Sequence, residues 1–203
     1  MINSKVACEF ISSKLPLEMV AKQLGITNAE CYQAIHNFCK EHPQGKLVPT
    51  IKRKLKMNLA SSLLSYAGSR EKFVEEYGIP DRNLVAIIYS VIEDESMVKT
   101  DALADRLFRK LTEGRVFCSA SMPKRIVRII GQYYANTKSS QAALAASYGV
   151  NDSTISGILR RGIADGIFDD VLADKVYAKI RDCKYMTKAT MKAYNAAFDK
   201  RIS

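Results

Sequence analysis

Apolar residues recur at helical spacing along most of the chain. Residues 58–67 and 97–111 each place leucines and alanines on one face of a helix, and residues 123–135 place isoleucines on one side and basic residues on another. Glycine and proline number only 10 and 5, and they fall mainly between these segments. The pattern predicts an all-α fold, because the one strand-like stretch, 115–121, is too short and isolated to form a sheet.

An internal repeat accompanies this helical pattern. Three segments share a first helix, a glycine, a β-branched residue and a second helix, and their apolar positions coincide when the glycines are aligned. Glycine tolerates the left-handed backbone that reverses the chain between two helices, and the aliphatic residue after it fills the angle between them. The three segments are residues 20–35, 73–88 and 144–159, aligned on Gly25, Gly78 and Gly149.

These segments resemble the helix-turn-helix DNA-binding superfamily. The third copy, extended to residues 140–162, is similar to the trihelical units of resolvases, transposases and phage regulators, with the helix at 123–135 as its third helix. The matching residues are Gln141, Leu144, Ala145, Tyr148, Gly149, Val150, Ser153, Thr154, Ile155, Ser156 and Ile158. The second copy has a second helix, LVAIIYSVI, that is too apolar for a DNA groove and suits a core or a subunit interface.

The resemblance implies that the second helix of a copy enters the major groove of DNA. It implies base or phosphate contacts from the third copy, with backbone contacts from the preceding helix, and a similar set around the first copy. For the third copy these residues are Asn151, Ser153, Thr154, Ser156, Arg160 and Arg161, with Lys124, Arg125 and Arg128 on the preceding helix. For the first copy they are Asn28 and Gln33, flanked by Lys52, Arg53 and Lys54.

A purely structural interpretation stands beside this one. Helix-turn-helix geometry also occurs as ordinary packing, and the aliphatic residues at the aligned positions are core residues under either interpretation. Arg160 and Arg161 also suit a solvated last turn, where the helix dipole favours cations.

The distribution of charge favours an anionic partner for the C-terminal part. The chain carries 31 Lys and Arg against 21 Asp and Glu, a net charge of +10. Residues 114–203 account for +8 of this excess. We therefore predict three segments: an N-terminal helix-turn-helix unit at 1–45, a central helical unit at 46–113 and a basic helix-turn-helix unit with terminal helices at 114–203.

Other chemistry has little support in the sequence. There is no P-loop, dinucleotide-binding glycine motif or HExxH motif, so we expect neither catalysis nor a cofactor. The series Cys31, His36, Cys39 and His42 lacks the paired spacing of zinc sites, and no metal is predicted. Five scattered cysteines, no apolar run of membrane-spanning length and no signal-peptide pattern predict a cytoplasmic, nucleoid-associated protein.

The sequence thus predicts a DNA-binding protein, a transcriptional or genome-organising regulator of bacterial or phage type. Its partner is double-stranded DNA, and a homodimer or a protein partner at the central unit stays open. The alternatives are a structural or packaging component, such as a small terminase-like oligomer, and a protein-interaction adaptor.

Overall fold

A computed structural model describes residues 2–113, 119–183 and 187–202 of the chain. Over these ranges the protein consists of helices and connecting turns without strands, which confirms the all-α prediction. Of the strand-like stretch, 115–118 lie outside the described residues and Ser119–Ser121 form a short 3₁₀ turn. The helices are α1 (Ile2–Ser12), α2 (Leu17–Leu24), α3 (Asn28–Glu41), α4 (Val48–Ser65), α5 (Arg70–Tyr77), α6 (Asp81–Glu93), α7 (Asp101–Thr112), α8 (Lys124–Asn136), α9 (Gln141–Tyr148), α10 (Asp152–Ala164), α11 (Asp170–Arg181) and α12 (Lys188–Ile202).

The chain divides into two compact units, Met1–Val98 and Lys99–Ser203, called unit 1 and unit 2 below. This division differs from the predicted segment boundaries after residues 45 and 113. Helix α3 packs against both α4 and α5, which joins the first predicted segment to most of the second. Helix α7 packs against α8 and therefore belongs with the C-terminal unit.

Each predicted glycine ends an eight-residue helix in the left-handed conformation. The φ angles of Gly25, Gly78 and Gly149 are 66°, 59° and 65°. The residue after each glycine donates its N–H to a carbonyl five residues back, at 3.0–3.1 Å, which closes a Schellman turn. A second helix begins three residues after each glycine, at Asn28, Asp81 and Asp152. The three helix–glycine–helix segments therefore share one local geometry.

Helices α1–α4 and α8–α11 share a further feature that the sequence repeat did not include. In unit 1 the Nζ of Lys54 on α4 donates to the carbonyl oxygens of Phe10 and Ser13 and lies 4.5 Å from the Phe10 ring centre. In unit 2 the Nζ of Lys179 on α11 does the same at the end of α8, 4.3 Å from the Tyr134 ring centre. Each lysine supplies donors to the carbonyls that a helix C-terminus leaves unpaired. We call Lys54 and Lys179 the capping lysines.

The core of unit 2 includes a close approach between α8 and α10. The ring of Phe168, which is 1% exposed, packs against Gly131 on α8 and Gly162 on α10. A Cβ atom at either glycine would lie 2.1–2.4 Å from the nearest ring carbon, so both positions require the absence of a side chain. This contact fixes α10, the second helix of the third copy, against the rest of its unit.

Candidate nucleic-acid interface

The first turn of α10 faces solvent. Asn151, Asp152 and Ser153 are exposed, and Thr154 is half-buried. The Oδ1 atom of Asn151 accepts hydrogen bonds from the backbone N–H of Thr154 at 2.9 Å and from the Ser153 hydroxyl at 2.7 Å. Asn151 is thus the N-cap of the helix, and because the Thr154 hydroxyl also donates to its Oδ1, at 2.8 Å, it orients two of the predicted contact side chains. The turn presents short polar groups at the helix end that the resemblance assigns to the groove.

Further along α10 the predicted contact residues are less accessible. Ser156, Arg160 and Arg161 are each half-buried. A guanidinium nitrogen of Arg161 donates to the Met122 carbonyl at 2.9 Å, and its Nε lies 3.6 Å from Asp165. These contacts hold the end of α10 against the start of α8. Arg161 is therefore mainly a structural residue. The Nε of Arg160 donates to the Ser156 carbonyl of its own helix at 3.4 Å, and its positive charge lies close enough to Tyr194 to lower the pKa of that phenol, against the larger effect of burial.

The C-terminal helix α12 lies beside α10. The side chain of Tyr194 is fully buried, and its hydroxyl donates to the Ser156 carbonyl oxygen at 3.2 Å. Burial in this contact raises the pKa of Tyr194 to about 12. Helix α12 therefore covers the flank of α10 that includes Ser156 and leaves the first turn of α10 exposed.

The basic residues at the start of α8 have three different surroundings. Lys124 is exposed, as expected for a backbone contact. Arg125 is only 5% exposed and its Nε donates to Asp101 at 2.8 Å, while Arg128 is half-buried with its guanidinium 3.9 Å from the same carboxylate. The expectation of a phosphate contact from Arg125 is thus corrected, because its charge is buried against a carboxylate.

In unit 1 the first turn of α3, which corresponds to the first turn of α10, is covered by residues of α5 and of the turn after it. The side-chain amide of Asn28 donates to Glu76 on α5 at 2.8 Å. A Cβ atom at Gly78 would lie 2.9 Å from the Cβ of Ala29, so the turn after α5 packs directly on the first turn of α3. The carboxylate of Glu76 opposes the approach of a phosphate backbone, as the exposed carboxylate of Asp152 does at the start of α10, but Glu76 also engages the side chain that was predicted to contact DNA. Gln33, one turn further along, is exposed and donates to Asn37 at 2.7 Å.

The basic residues on α4 also differ in their surroundings. Lys52 is exposed, and with Lys40 it lowers the pKa of His36 on α3, although burial of the imidazole has the larger effect. Arg53 donates to the hydroxyl and carbonyl oxygens of Ser96, at 3.0 and 3.2 Å. Lys54 is a capping lysine, so the prediction that it flanks DNA is corrected: its ammonium already binds two backbone carbonyls.

Two tyrosine–carboxylate pairs were absent from the sequence-based prediction. The hydroxyl of Tyr77 donates to Glu18 in unit 1, and the hydroxyl of Tyr148 donates to Asp105 in unit 2. Burial is the largest cause that raises the pKa of each phenol, and the adjacent carboxylate adds to it. Both tyrosines immediately precede a turn glycine, and this shared position was the available signal. The carboxylates lie 59 and 43 residues away, so spacing could not identify them.

The cysteine and histidine series forms no cluster. Cys31 is buried with its sulfur 4.0 Å from the Leu17 carbonyl oxygen, and burial raises the pKa of its thiol to about 11. Among the described residues no three His, Cys, Asp or Glu side chains come together as metal ligands would. Within the same ranges, no helix combines the length and the apolar character needed to cross a membrane.

The two units also differ in charge. Residues 99–203 carry 19 Lys and Arg against 10 Asp and Glu, a net charge of +9, whereas residues 1–98 carry 12 against 11, a net charge of +1. No protein-family model, curated protein or solved structure matches the chain.

Proposed function

We propose that this protein binds double-stranded DNA through unit 2 and acts in the cytoplasm as a transcriptional or genome-organising regulator. In this proposal the first turn of α10 enters the major groove and Ser153 and Thr154 contact base edges or phosphates. Arg160 and Lys124 contact the backbone. Most of the affinity comes from phosphate contacts, so it falls steeply with salt.

One observation carries the proposal. An exposed, side-chain-capped helix start at Asn151–Ser153 follows the left-handed turn at Gly149, within a unit of net charge +9. Helix-turn-helix proteins use this end of the second helix to contact bases, and the net positive charge attracts the duplex at long range. Neither feature alone favours DNA, because capped helices and basic domains are both common.

Fluorescence anisotropy with the full-length protein and a labelled duplex of mixed sequence tests the proposal. We expect saturable binding whose affinity falls linearly with salt on logarithmic axes, and a weaker response for an acidic competitor such as polyglutamate than for unlabelled duplex. Absence of binding at about 0.05 M salt, or equal competition by polyglutamate, would overturn the proposal.

A second candidate is a structural or packaging component, or an adaptor that binds other proteins. It is favoured by the packing of α5 on the first turn of α3, which makes the first two helix–glycine–helix copies parts of one unit. Light scattering after size exclusion separates the candidates: a ring of many subunits favours packaging, and a monomer or dimer favours the regulator.

A further inference from the structure

Helix α12 packs on α10 with the same N-to-C direction. Near its middle, the hydroxyl of Tyr194 meets the Ser156 carbonyl, and near its end the Nζ of Lys200 lies 3.4 Å from the Oδ1 of Asp165. Both helices therefore run in the same N-to-C direction between these two contacts. The first turns of the two helices consequently lie at the same end of unit 2, where the first turn of α10 is exposed.

Helix α12 is an integral part of this unit rather than a loose tail. Tyr194 is among the largest fully buried side chains of the protein, and its hydroxyl lies 3.5 Å from the side-chain nitrogen of Gln141 on α9. At the other end, the guanidinium of Arg201 pairs with Asp170 on α11. Contacts with three helices thus fix the direction of α12 and the placement of its outward face.

The outward face of α12 is basic at its beginning. Lys188 and Lys192 are exposed and stand one helical turn apart, so their side chains share a face. The only acidic residue of α12, Asp199, lies in its second half, where Lys200 is already paired with Asp165. The two lysines of α12 thus lie in its first half, toward the end of unit 2 that carries the exposed first turn of α10.

We propose that α12 is a second DNA-contacting helix, in which Lys188 and Lys192 bind phosphates along the edge of the groove that α10 enters. This inference rests on the proposed function. Contacts of this kind position a duplex without reading its sequence, so α12 contributes affinity and orientation while α10 supplies specificity. The buried Tyr194 fixes the backbone of α12, from which the two lysines extend, against α10.

The test compares two charge-matched double variants of the full-length protein. Lys188→Gln with Lys192→Gln removes the proposed contacts, and Lys14→Gln with Lys22→Gln removes two exposed lysines of unit 1. We expect the first variant to reduce the slope of log affinity against log salt by about 1–2, and to weaken binding three- to tenfold at about 0.1 M salt. The sequence preference selected from a random duplex pool should stay the same, and the unit 1 control should change affinity less than twofold.

The possible outcomes separate this inference from the proposed function. If the wild-type protein binds DNA and both double variants behave alike, the role of α12 is overturned and DNA binding stands. If the α12 variant changes the selected sequence, the lysines contact bases and the backbone role is wrong. If the wild-type protein does not bind DNA, the proposed function and this inference fail together. Circular dichroism confirms that each variant retains the wild-type helical content.

Discussion

Units 1 and 2 use the same local frame and present different surfaces. In both, a short helix ends at a left-handed glycine, a second helix begins three residues later, and a capping lysine closes the C-terminus of an earlier helix. In unit 1 the start of α3 is covered by Glu76 and the turn at Gly78, whereas in unit 2 the start of α10 is exposed to solvent. The shared frame therefore has a structural role in both units. Whether it can also present a binding surface depends on what packs over the N-terminus of its second helix.

The shared frame extends to corresponding positions in the chain. Tyr134, Thr137 and Gly149 each stand 124 residues after Phe10, Ser13 and Gly25. The contacts of the capping lysines thus join equivalent carbonyls in the two units. This correspondence allows Gly131 and Lys179 of unit 2 to be tested against Ala7 and Lys54 of unit 1.

The largest effect on stability is expected at Gly131, a buried position where unit 2 has glycine and unit 1 has alanine. Gly131 corresponds to Ala7 in unit 1, so Gly131→Ala introduces the side chain that unit 1 already has. In unit 2 its Cβ would meet the Phe168 ring at 2.4 Å, and overpacking should destabilise unit 2 by about 2–3 kcal/mol. Urea unfolding followed by hydrogen exchange of α8 and α10 measures this cost.

The matched change in unit 1 is Ala7→Gly. It removes one buried methyl group and adds backbone freedom, and we expect a loss of about 1 kcal/mol that is confined to unit 1. If Gly131→Ala were as mild as this control, the close packing of Phe168 on α8 would be wrong.

The capping lysines should contribute to both units. Lys179→Met keeps most of the aliphatic stem and removes the ammonium, which leaves the carbonyls of Tyr134, Thr137 and Ser139 without that donor. We expect a loss of about 2 kcal/mol in unit 2, and a smaller loss in unit 1 for Lys54→Met, which frees two carbonyls. Thermal unfolding monitored by hydrogen exchange of α8 and α1 measures the loss of stability in each unit. If neither variant lost stability, the capping role of these lysines would be contradicted.

The contact between α12 and α10 should weaken at high pH. The pKa of Tyr194 is raised to about 12 in the folded protein, so the folded state holds this proton more tightly than the unfolded state. Its contribution is complete below about pH 10 and is lost as the pH rises through 12. Tyr194→Phe should cost about 1 kcal/mol at neutral pH and reduce the alkaline loss of stability in unit 2. A pH profile of unfolding identical to that of the wild type would contradict this contact.

A smaller change is expected for a single cation on α10. Arg160→Gln should weaken DNA binding about three- to tenfold, because it removes a cation of α10 that the proposed function assigns to a phosphate contact. Arg161 is a poor choice for this test, since its bonds to Met122 and Asp165 would confuse stability with binding. Lys52→Gln, an exposed cation of unit 1, is the control, and an equal effect of the two variants would remove the distinction between the units.

Local features of the fold were predictable from sequence, and tertiary contacts were not. Apolar periodicity identified the helices, and the alignment on Gly25, Gly78 and Gly149 identified the three turns, because both depend on neighbouring residues. The pairing of Asn28 with Glu76 joins residues 48 positions apart, and no spacing rule connects them.

The candidate site illustrates the same limit. The motif indicated which face of each second helix is outward, but it could not show that Arg125 is buried against Asp101 or that Lys54 binds carbonyls. Charged residues in a basic run look alike in sequence, and only packing separates a structural cation from a surface one. The sequence predicts terminal helices after the third copy, but it does not indicate that the last of them packs on α10.

The most direct test adds one negative charge either to α10 or to α3 and measures DNA binding of the full-length protein. Ser153→Glu places a carboxylate at the exposed start of α10, where the helix dipole tolerates it, and Gln33→Glu places one on the exposed face of α3. The account predicts a loss of affinity of at least about tenfold for Ser153→Glu and less than about twofold for Gln33→Glu. Equal losses, or a larger loss for Gln33→Glu, would contradict the claim that unit 2 presents the DNA-binding surface.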